Sequence, residues 1–373
     1  MKNRSNIQAS ERLLVRKAAA ALAVLLCAGC SKIDRLYDEV QPEIAFRPAD
    51  RQVTRSTGYP EGSVFGVFAY HTEMPGNTPW ASAWESDMPL YLDNAAFRNG
   101  AEEASGWNPS ANDGAGAARP YYWPLSGSLL FGGYSPHSGI SGSPVRSVTL
   151  HKNIIPDSSN PYFEIAYDMP YDNSSASMTD KELLYFDMHE ANTQKTVGKR
   201  EEALAVTFRH ALSLVSFKVS HDYESLSIKL TECVDKGVFY SGFAAGWVPD
   251  RAVDGAGKLT AVKDYVFAEN ISDDNDPVND GKQFVSEKYV IPQYTNGWFE
   301  ELKEQIGEMM MIVLTINDEV NGVVSSETVE IPLYDYVERL EMGKKYILNL
   351  TVRKNPVVFG PPELTIRETT VTL

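Results

Sequence analysis

Cysteine is scarce in this sequence, with three among 373 residues, Cys27, Cys30 and Cys233. Two of them lie close together near the N-terminus, which leaves Cys233 alone in the rest of the chain. A chain with so few cysteines is not stapled by disulfides, so its stability has to come from the packing of its core. Cys233 lies in the alternating segment SLSIKLTECV and is predicted to be a small buried residue.

Positive charge is also in deficit, with 34 lysines and arginines against 50 acidic residues and a formal net charge of -16. A strongly acidic protein repels the phosphate backbone of nucleic acids. The sequence also lacks a cluster of Lys and Arg with interleaved aromatic residues. We therefore expect no nucleic-acid partner.

Sequence motifs of enzymes and metal sites are missing as well. The six histidines form no metal-binding pair at helical spacing, and no HExxH, GxSxG, P-loop or CxxC motif occurs. Carboxylates are numerous, but nothing marks out a catalytic pair. We therefore expect no enzymatic activity, no cofactor and no metal site.

One acidic loop at residues 269–281, ENISDDNDPVNDG, leaves a single question open. Carboxylate oxygens are the ligands that calcium prefers, but this loop lacks the spacing and the closing glutamate of an EF-hand. The sequence does not decide whether calcium binds there.

The first 29 residues have the layout of an export signal. An apolar run from Ala18 to Cys27 follows a basic segment and precedes the small residues Ala28 and Gly29. The run is too short for the hydrocarbon core of a membrane, which takes about 20 residues. The segment resembles a bacterial lipoprotein signal, in which the cysteine after the cut, here Cys30, receives the lipid. The alternative is an ordinary secretory signal followed by an incidental cysteine.

Strand patterns dominate the rest of the chain. Segments rich in β-branched and aromatic residues, bounded by Gly, Pro, Asn or Asp, predict strands at Val64–Tyr70, Val145–Leu150, Leu183–Asp187, Leu204–Val219, Met309–Ile316 and Tyr346–Val352. Helical spacing is found only in short segments, WFEELKEQIG at 298–307 and YDYVERLEMG at 334–343. Parallel sheets need long crossovers, so many strands with few helices predict an all-β fold of antiparallel sandwiches. A domain boundary is predicted near Ala203, where a polar turn gives way to strand pattern.

The aromatic segment RPYYWPLSGSLLFGGYSP, which begins at Arg119, has two interpretations. Its aromatic residues, among them Tyr122 and Trp123, either fill the core of a sandwich or form a platform on which a sugar stacks. Large aromatic residues are more often part of a core than of a ligand site.

Several motifs together, in their order and spacing, resemble the fimbrillin family of Bacteroidetes, the type V pilins. They extend from about Glu43 to Val352 and include GYPEGSVFGVFAY, LYLDNAAF, YYWPLSGSLLFGGYSP, FRHALSLVSFKV, YVIPQ and GKKYILNLTV. The resemblance implies two tandem transthyretin-like antiparallel β-sandwich domains with few short helices, at 56–203 and 204–373. It also implies a signal peptide at 1–29 and a lipidated propeptide with the first strand at 30–55.

The resemblance further implies an assembly route. The lipoprotein precursor is carried to the outer membrane, and an arginine-specific protease cuts it between its first two strands. A neighbour's terminal strand then fills the groove that the first strand has left. The family's "TR" position falls on Arg55, with Arg51 and Arg47 as further candidates. The alternative is that these arginines are solvated surface charges.

The residues around the first strand support this route independently of the family. In PEIAFRP, Ile44 and Phe46 alternate with more polar neighbours, which predicts a half-buried strand. Removal of such a strand exposes apolar side chains and an unpaired edge, the template on which strand addition occurs. The C-terminal segment from Arg353 to Leu373 is either a donor strand or the last strand of its own sheet.

The expected function is therefore a structural subunit of cell-surface fimbriae, as stalk, tip or anchor, that supports adhesion. Its expected partners are other fimbrial subunits, an arginine-specific protease, the outer membrane through the lipid, and ligands on host or bacterial surfaces. The alternative function is a surface lipoprotein that never polymerises and binds glycans through exposed aromatic residues.

The lipoprotein signal makes a direct prediction for Cys30. Cells that express the wild type and are fed a palmitate analogue should label the protein, and Cys30→Ala should abolish the label because no other cysteine follows a small-residue cleavage site. Cys233→Ala is the control and should label like the wild type. A label that survives in Cys30→Ala would contradict the assignment.

Overall fold

The backbone is built almost entirely from β-strands. The computed structural model describes residues 43–48, 62–73, 89–98, 107–109, 120–151, 162–186, 194–196, 203–242, 245–272, 283–299, 302–320, 323–353, 357–359, 363–366 and 371–372. Within these ranges the only helical element is the 3-10 turn Leu333–Asp335, and no helix is long and apolar enough to cross a membrane. All strands belong to one compact unit, Ile44–Leu373.

The strands are numbered along the chain. They are β1 (Phe46–Pro48), β2 (Val64–Thr72), β3 (Leu90–Arg98), β4 (Asn108–Pro109), β5 (Ser128–Ser135), β6 (Val145–His151), β7 (Tyr162–Asp168), β8 (Leu184–Phe186), β9 (Gln194–Thr196), β10 (Leu204–His210), β11 (Ser213–His221), β12 (Ser225–Val234), β13 (Lys236–Tyr240), β14 (Gly246–Pro249), β15 (Val262–Ile271), β16 (Gln283–Phe284), β17 (Lys288–Val290), β18 (Gln293–Tyr294), β19 (Trp298–Phe299), β20 (Glu304–Gln305), β21 (Met311–Val320), β22 (Val323–Pro332), β23 (Arg339–Leu340), β24 (Lys344–Val352), β25 (Val357–Phe359), β26 (Glu363–Ile366) and β27 (Val371–Thr372).

Four larger sheets organise these strands. The largest has the order β1-β10-β8-β5-β2-β3-β4, with β27 on β10 and β9 on β5. The others are β14-β13-β7-β6, β15-β12-β21-β22, and β16-β11-β24-β25 with β17 on β11 and β26 on β24. Most neighbours are antiparallel, as predicted, but β1 runs parallel to β10 and β11 runs parallel to β24. The predicted all-β fold is confirmed.

Each strand predicted from the sequence is present, with one important difference. The segment Leu204–Val219 forms two strands, β10 and β11, that are separated at Ala211 and Leu212 and belong to different sheets. Both connecting residues are fully buried, so no polar turn signal marks the break. The continuous apolar run therefore predicted a single strand, although the chain passes from one sheet to another at Ala211 and Leu212.

The helix predicted at 298–307 is wrong. Strands β19 and β20 pair antiparallel there, and Lys303 adopts a φ of +53° in the connection between them. The side chain of Phe299 is buried, and Leu302 and Ile306 pack against the same core. Three apolar residues of a tight hairpin thus have the spacing of a helical face. The second helical prediction, 334–343, gives only the 3-10 turn Leu333–Asp335 followed by β23.

Two hydrophobic clusters fill the interior. The smaller lies on one face of the largest sheet and includes Phe46, Phe65 and Phe208, and the larger combines residues from both halves of the chain. The predicted boundary at Ala203 is crossed by strand pairing, because β13 pairs with β7 and β10 pairs with β8. The division of the chain into domains at this residue stays a prediction.

A buried histidine–carboxylate pair also spans this boundary. The Nδ1 atom of His210, at the end of β10, lies 2.6 Å from Oε1 of Glu182, and the two side chains are 6% and 9% exposed. The hydroxyl of Tyr289 in β17 donates to Oε2 of the same carboxylate over 2.9 Å. Partners on both carboxylate oxygens compensate for the loss of hydration on burial.

This cluster leads to a stability prediction. Glu182→Ala should lower the free energy of unfolding by about 2–5 kcal/mol, because His210 and Tyr289 both lose their buried acceptor. The control is Glu164→Ala, which breaks a His151–Glu164 pair of 3.1 Å whose side chains are 32% and 35% exposed. This change should cost about 1 kcal/mol or less. Urea denaturation measures both, and equal losses in the two variants would argue against a structural role for the buried cluster.

Candidate functional site: the slot of the first strand

The first strand is held by the backbone on both sides. On one side the N–H of Leu204 in β10 donates to the carbonyl of Ala45 over 2.7 Å. On the other side the N–H of Trp107 donates to the carbonyl of Phe46 over 2.7 Å, and the Phe46 N–H donates back over 3.3 Å. Strand β1 therefore lies in a slot between β10 and the segment at Trp107.

The side chains of the first strand fill this slot. Ile44 and Phe46 are both 0% exposed, whereas the side chain of Arg47, in the same strand, is exposed to solvent. The Phe46 ring makes edge-to-face contacts with Phe65, Phe97 and Phe131 at centroid distances of 5.7, 4.7 and 5.6 Å. Edge-to-face aromatic pairs add about 0.5–1.5 kcal/mol each to the effect of burial alone.

The sequence did not indicate the far wall of the slot. Trp107 is buried and its indole meets the Phe65 ring at 5.4 Å, and the carbonyl of Tyr121 accepts the Ile44 N–H over 2.6 Å. Trp107 lies in a segment without strand periodicity, so only the fold brings it to β1. A single tryptophan within the polar stretch ASGWNPS was the one feature of the sequence that could have indicated a buried residue here.

The last strand of the chain meets the same β10. Thr207 and Phe208 pair antiparallel with Thr372 and Val371 of β27, directly beyond the residues that hold β1. Strands β25 and β26, from the preceding part of the C-terminal segment, pair instead with β24. The two ends of the chain thus converge on one strand.

The aromatic segment that begins at Arg119 belongs largely to the core. Trp123 is 3% exposed and meets the Phe131 ring edge-to-face at 5.8 Å. An indole buried to this degree offers no face on which a sugar can stack, so Trp123 serves the packing of the slot. Tyr122 is 38% exposed, and its carbonyl accepts the hydroxyl of Tyr91 over 2.6 Å.

The candidate processing sites fall mostly outside the described residues. Cys30, Arg51 and Arg55 are not among them, and neither is most of the acidic loop at 269–281. Arg47 is described. It lies within β1, and its Nε donates to the carbonyl of Ala203 over 3.2 Å.

The remaining residues singled out for their chemistry are Cys233, which lies in the larger hydrophobic cluster, and the possible metal ligands. Cys233 is fully buried, as predicted, and burial raises the pKa of its thiol well above the ordinary value, which keeps it protonated and unreactive. Among the described residues, no group of three His, Cys, Asp or Glu side chains could hold a metal ion. The arrangement at β1 holds a strand through its backbone and its buried side chains.

A comparison with protein families places this geometry in context. Residues 53–372 match the model of the fimbrillin-like family. The chain belongs to the fimbrillin-like family. Its role is therefore that of a subunit of cell-surface fimbriae, which associates with other fimbrial subunits. The role of such a subunit is structural.

Solved structures similar to this fimbrillin-like protein share little sequence with it. A Bacteroides uniformis protein named for cell adhesion is 12% identical, with coverage of 88% of this chain and 99% of that chain and a TM-score of 0.48. The tip fimbrial protein Mfa3 of Porphyromonas gingivalis is 9% identical, with coverage of 87% and 98% and a TM-score of 0.35. The fimbrial anchor protein Mfa2 of the same species is 8% identical, with coverage of 86% and 95% and a TM-score of 0.31. No curated protein matches the sequence.

The packing of Phe46 in the slot leads to a prediction for the free energy of unfolding. Phe46→Ala should lower the free energy of unfolding of the uncut chain by about 3–5 kcal/mol, because a fully buried ring leaves a cavity between three other rings. Arg47→Ala, the next residue along the same strand, removes an exposed side chain and its hydrogen bond to Ala203, and should lower stability by about 1 kcal/mol or less. Urea denaturation measures both. A Phe46→Ala variant as stable as Arg47→Ala would mean that β1 does not occupy this slot in solution.

Proposed function

We propose that this fimbrillin-like protein is exported as an outer-membrane lipoprotein through Cys30 and is then cut by an arginine-specific protease. We propose further that the cut subunit polymerises by exchange of β1 for a terminal strand of a neighbouring subunit. The observation that carries the proposal is the slot, which buries Ile44 and Phe46 and pairs their backbone on both sides. Two tandem transthyretin-like sandwiches, at 56–203 and 204–373, form part of the same proposal.

The slot is suited to the exchange of a strand because β1 is short and contributes large side chains. It has three residues, yet it removes the whole Phe46 ring from water. Burial of such a side chain stabilises the protein by about 1.5–3 kcal/mol, so an empty slot is strongly disfavoured. An incoming strand with apolar residues at alternate positions regains both the ring contacts and the backbone bonds.

Cleavage changes the competition for the slot. In the precursor, the polypeptide link keeps β1 at a high effective concentration beside its slot, and a neighbour's strand cannot compete. After a cut beyond β1, this advantage is lost and β1 becomes free to dissociate. Each subunit then accepts a strand and offers one elsewhere, a head-to-tail contact that need not close into a ring.

Arg55 is the processing site that we propose, with Arg51 as the nearest substitute. Both follow β1 in the sequence, so cleavage at either residue separates the whole strand from the body of the subunit. Arg47 fits less well, because it lies within β1, where its backbone is paired with β10. A protease needs an extended, accessible backbone, and paired strands do not provide it.

The C-terminal segment is the donor strand that we propose. Strand β27 already pairs with β10 at Thr207 and Phe208, next to the residues that pair with β1. The end of the chain therefore has a backbone that complements the acceptor strand. Val371 and Leu373 alternate in this segment with the period of a strand and supply apolar side chains.

The test replaces the arginines and follows assembly on cells. Arg55→Ala should block processing at this site, and the triple change of Arg47, Arg51 and Arg55 to Ala should remove the substitutes as well. The wild type is expected to form an SDS-resistant ladder, and the triple variant is expected to stay a monomeric precursor without one, because β1 stays tethered in its slot. Arg251→Ala, an exposed arginine far along the chain, is the control and should polymerise normally.

A ladder that persists in the triple variant would show that assembly does not require this cut. Retention of β1 can be checked in the same samples by mass spectrometry of the subunit's N-terminus. A wild type that polymerises with its N-terminus intact would contradict the proposal as well.

A further inference from the structure

Strand β22 forms an open edge of the sheet β15-β12-β21-β22. It pairs with β21 over its full length, from Met311 opposite Pro332 to Val320 opposite Val323, without a shift of register. On its other side no strand of the described part of the chain is hydrogen-bonded to it. Every second residue of such a strand directs its N–H and C=O away from the partner strand, so these groups are available to another chain.

The first half of β22 stands clear of the protein on both faces. Every residue from Val323 to Thr328 is exposed, although side chains alternate between the two faces of a sheet. Val323 and Val324 are 69% and 68% exposed. Only Val329 and Ile331, nearer the other end, pack against the core. Within the described part of the chain, an approaching strand therefore meets no steric obstacle from either face of this half.

Three other sheet edges in the described part of the chain carry features that usually prevent pairing. Strand β15, at the opposite edge of the same sheet, has three shifts of register against β12 and a φ of +49° at Asn270. Strands β4 and β14 are short and end in Pro109 and Pro249. Bulges, short strands and prolines are among the ways in which proteins blunt an edge, and charged side chains are another. Strand β22 has no bulge and no proline before its terminal Pro332, and its two charges, Glu327 and Glu330, repel a like-charged strand but not a basic one.

The charge around this edge is of one sign. Residues Met311–Pro332 contain Asp318, Glu319, Glu327 and Glu330 and no Lys, Arg or His. Glu327 and Glu330 are exposed, lie on opposite faces of β22, and form no ion pair with another described residue. Like charges on neighbouring strands are destabilising and opposite charges stabilise, so a second copy of this edge is a poor partner and a basic strand is a good one.

We propose that β22 binds an extended segment of another protein by strand addition, with Lys or Arg residues placed opposite Glu327 and Glu330. Backbone hydrogen bonds to the open edge supply the binding, and the two carboxylates select for positive charge. This surface is separate from the slot of β1 and requires no cleavage. The subunit thus has one strand-binding site that assembly fills and another that stays open to a basic partner.

The test uses two defined peptides and the purified, uncut chain. The probe acetyl-Thr-Lys-Val-Thr-Lys-Val-Thr-amide carries Lys at positions three apart, like the two carboxylates, and its analogue carries Glu at the same positions. Fluorescence anisotropy should show that the wild type binds the basic peptide about tenfold or more tightly than the acidic one. The preference should shrink as salt is raised, since exposed charges are screened.

Charge reversal locates the site. In the double variant Glu327→Lys, Glu330→Lys, the affinity for the basic peptide should fall by about tenfold or more. This variant should instead prefer the acidic peptide. The control, Glu224→Lys with Glu304→Lys, makes the same change of net charge at exposed residues elsewhere and should bind like the wild type. Equal effects of the two double variants would overturn the proposal, because they would reflect the overall charge alone.

Proline substitution tests the backbone contribution. Of the neighbours Ser325 and Ser326, one directs its N–H toward β21 and the other toward the open edge. Proline removes a hydrogen bond to β21 in one of the variants Ser325→Pro and Ser326→Pro, and removes only an open-edge N–H in the other. The open-edge variant is the one whose unfolding midpoint in urea is closer to that of the wild type. This variant should no longer bind the basic peptide. Retained binding in that variant would overturn the proposal. So would failure of the wild type to bind at about 1 mM peptide, or dimerisation of the wild type that this variant abolishes.

Discussion

The burial of Phe46 is the interaction on which the N-terminal part of this protein depends. Its ring contacts three other phenylalanine rings, and the backbone of its strand is hydrogen-bonded to β10 on one side and to Trp107 on the other. A strand of three residues cannot hold its place through hydrogen bonds alone, so the side chain supplies most of the attachment. Ile44 and Phe46 thus tie the first strand to the smaller hydrophobic cluster of the core.

Strand β10 connects this element to the rest of the molecule. It pairs with β1, β8 and β27, and it ends at His210, whose side chain binds Glu182 in the interior. The first and last described strands therefore meet a strand that is held at its far end by a buried hydrogen-bonded cluster. A fixed acceptor favours exchange, because an incoming strand need not order the surface to which it binds.

The sequence anticipated the features that depend on local pattern. Alternating apolar residues predicted the strands, and the alternation of Ile44 and Phe46 agrees with their burial. The same kind of evidence failed at 298–307, where Phe299, Leu302 and Ile306 have helical spacing but pack from a hairpin. The spacing of apolar residues indicates only that their side chains can face the core together, and a hairpin can place them there as well as a helix can.

By itself the sequence determined the all-β class, the buried Cys233, the deficit of positive charge and the order of motifs typical of fimbrillins, because each of these is a property of composition or of neighbouring residues. Only the tertiary structure decided that β11 and β24 are parallel, that Trp107 walls the slot, and that β27 reaches β10. These contacts join residues far apart in the chain. Which distant strands pair is decided by how the sheets pack over a common core, and no local pattern encodes that choice.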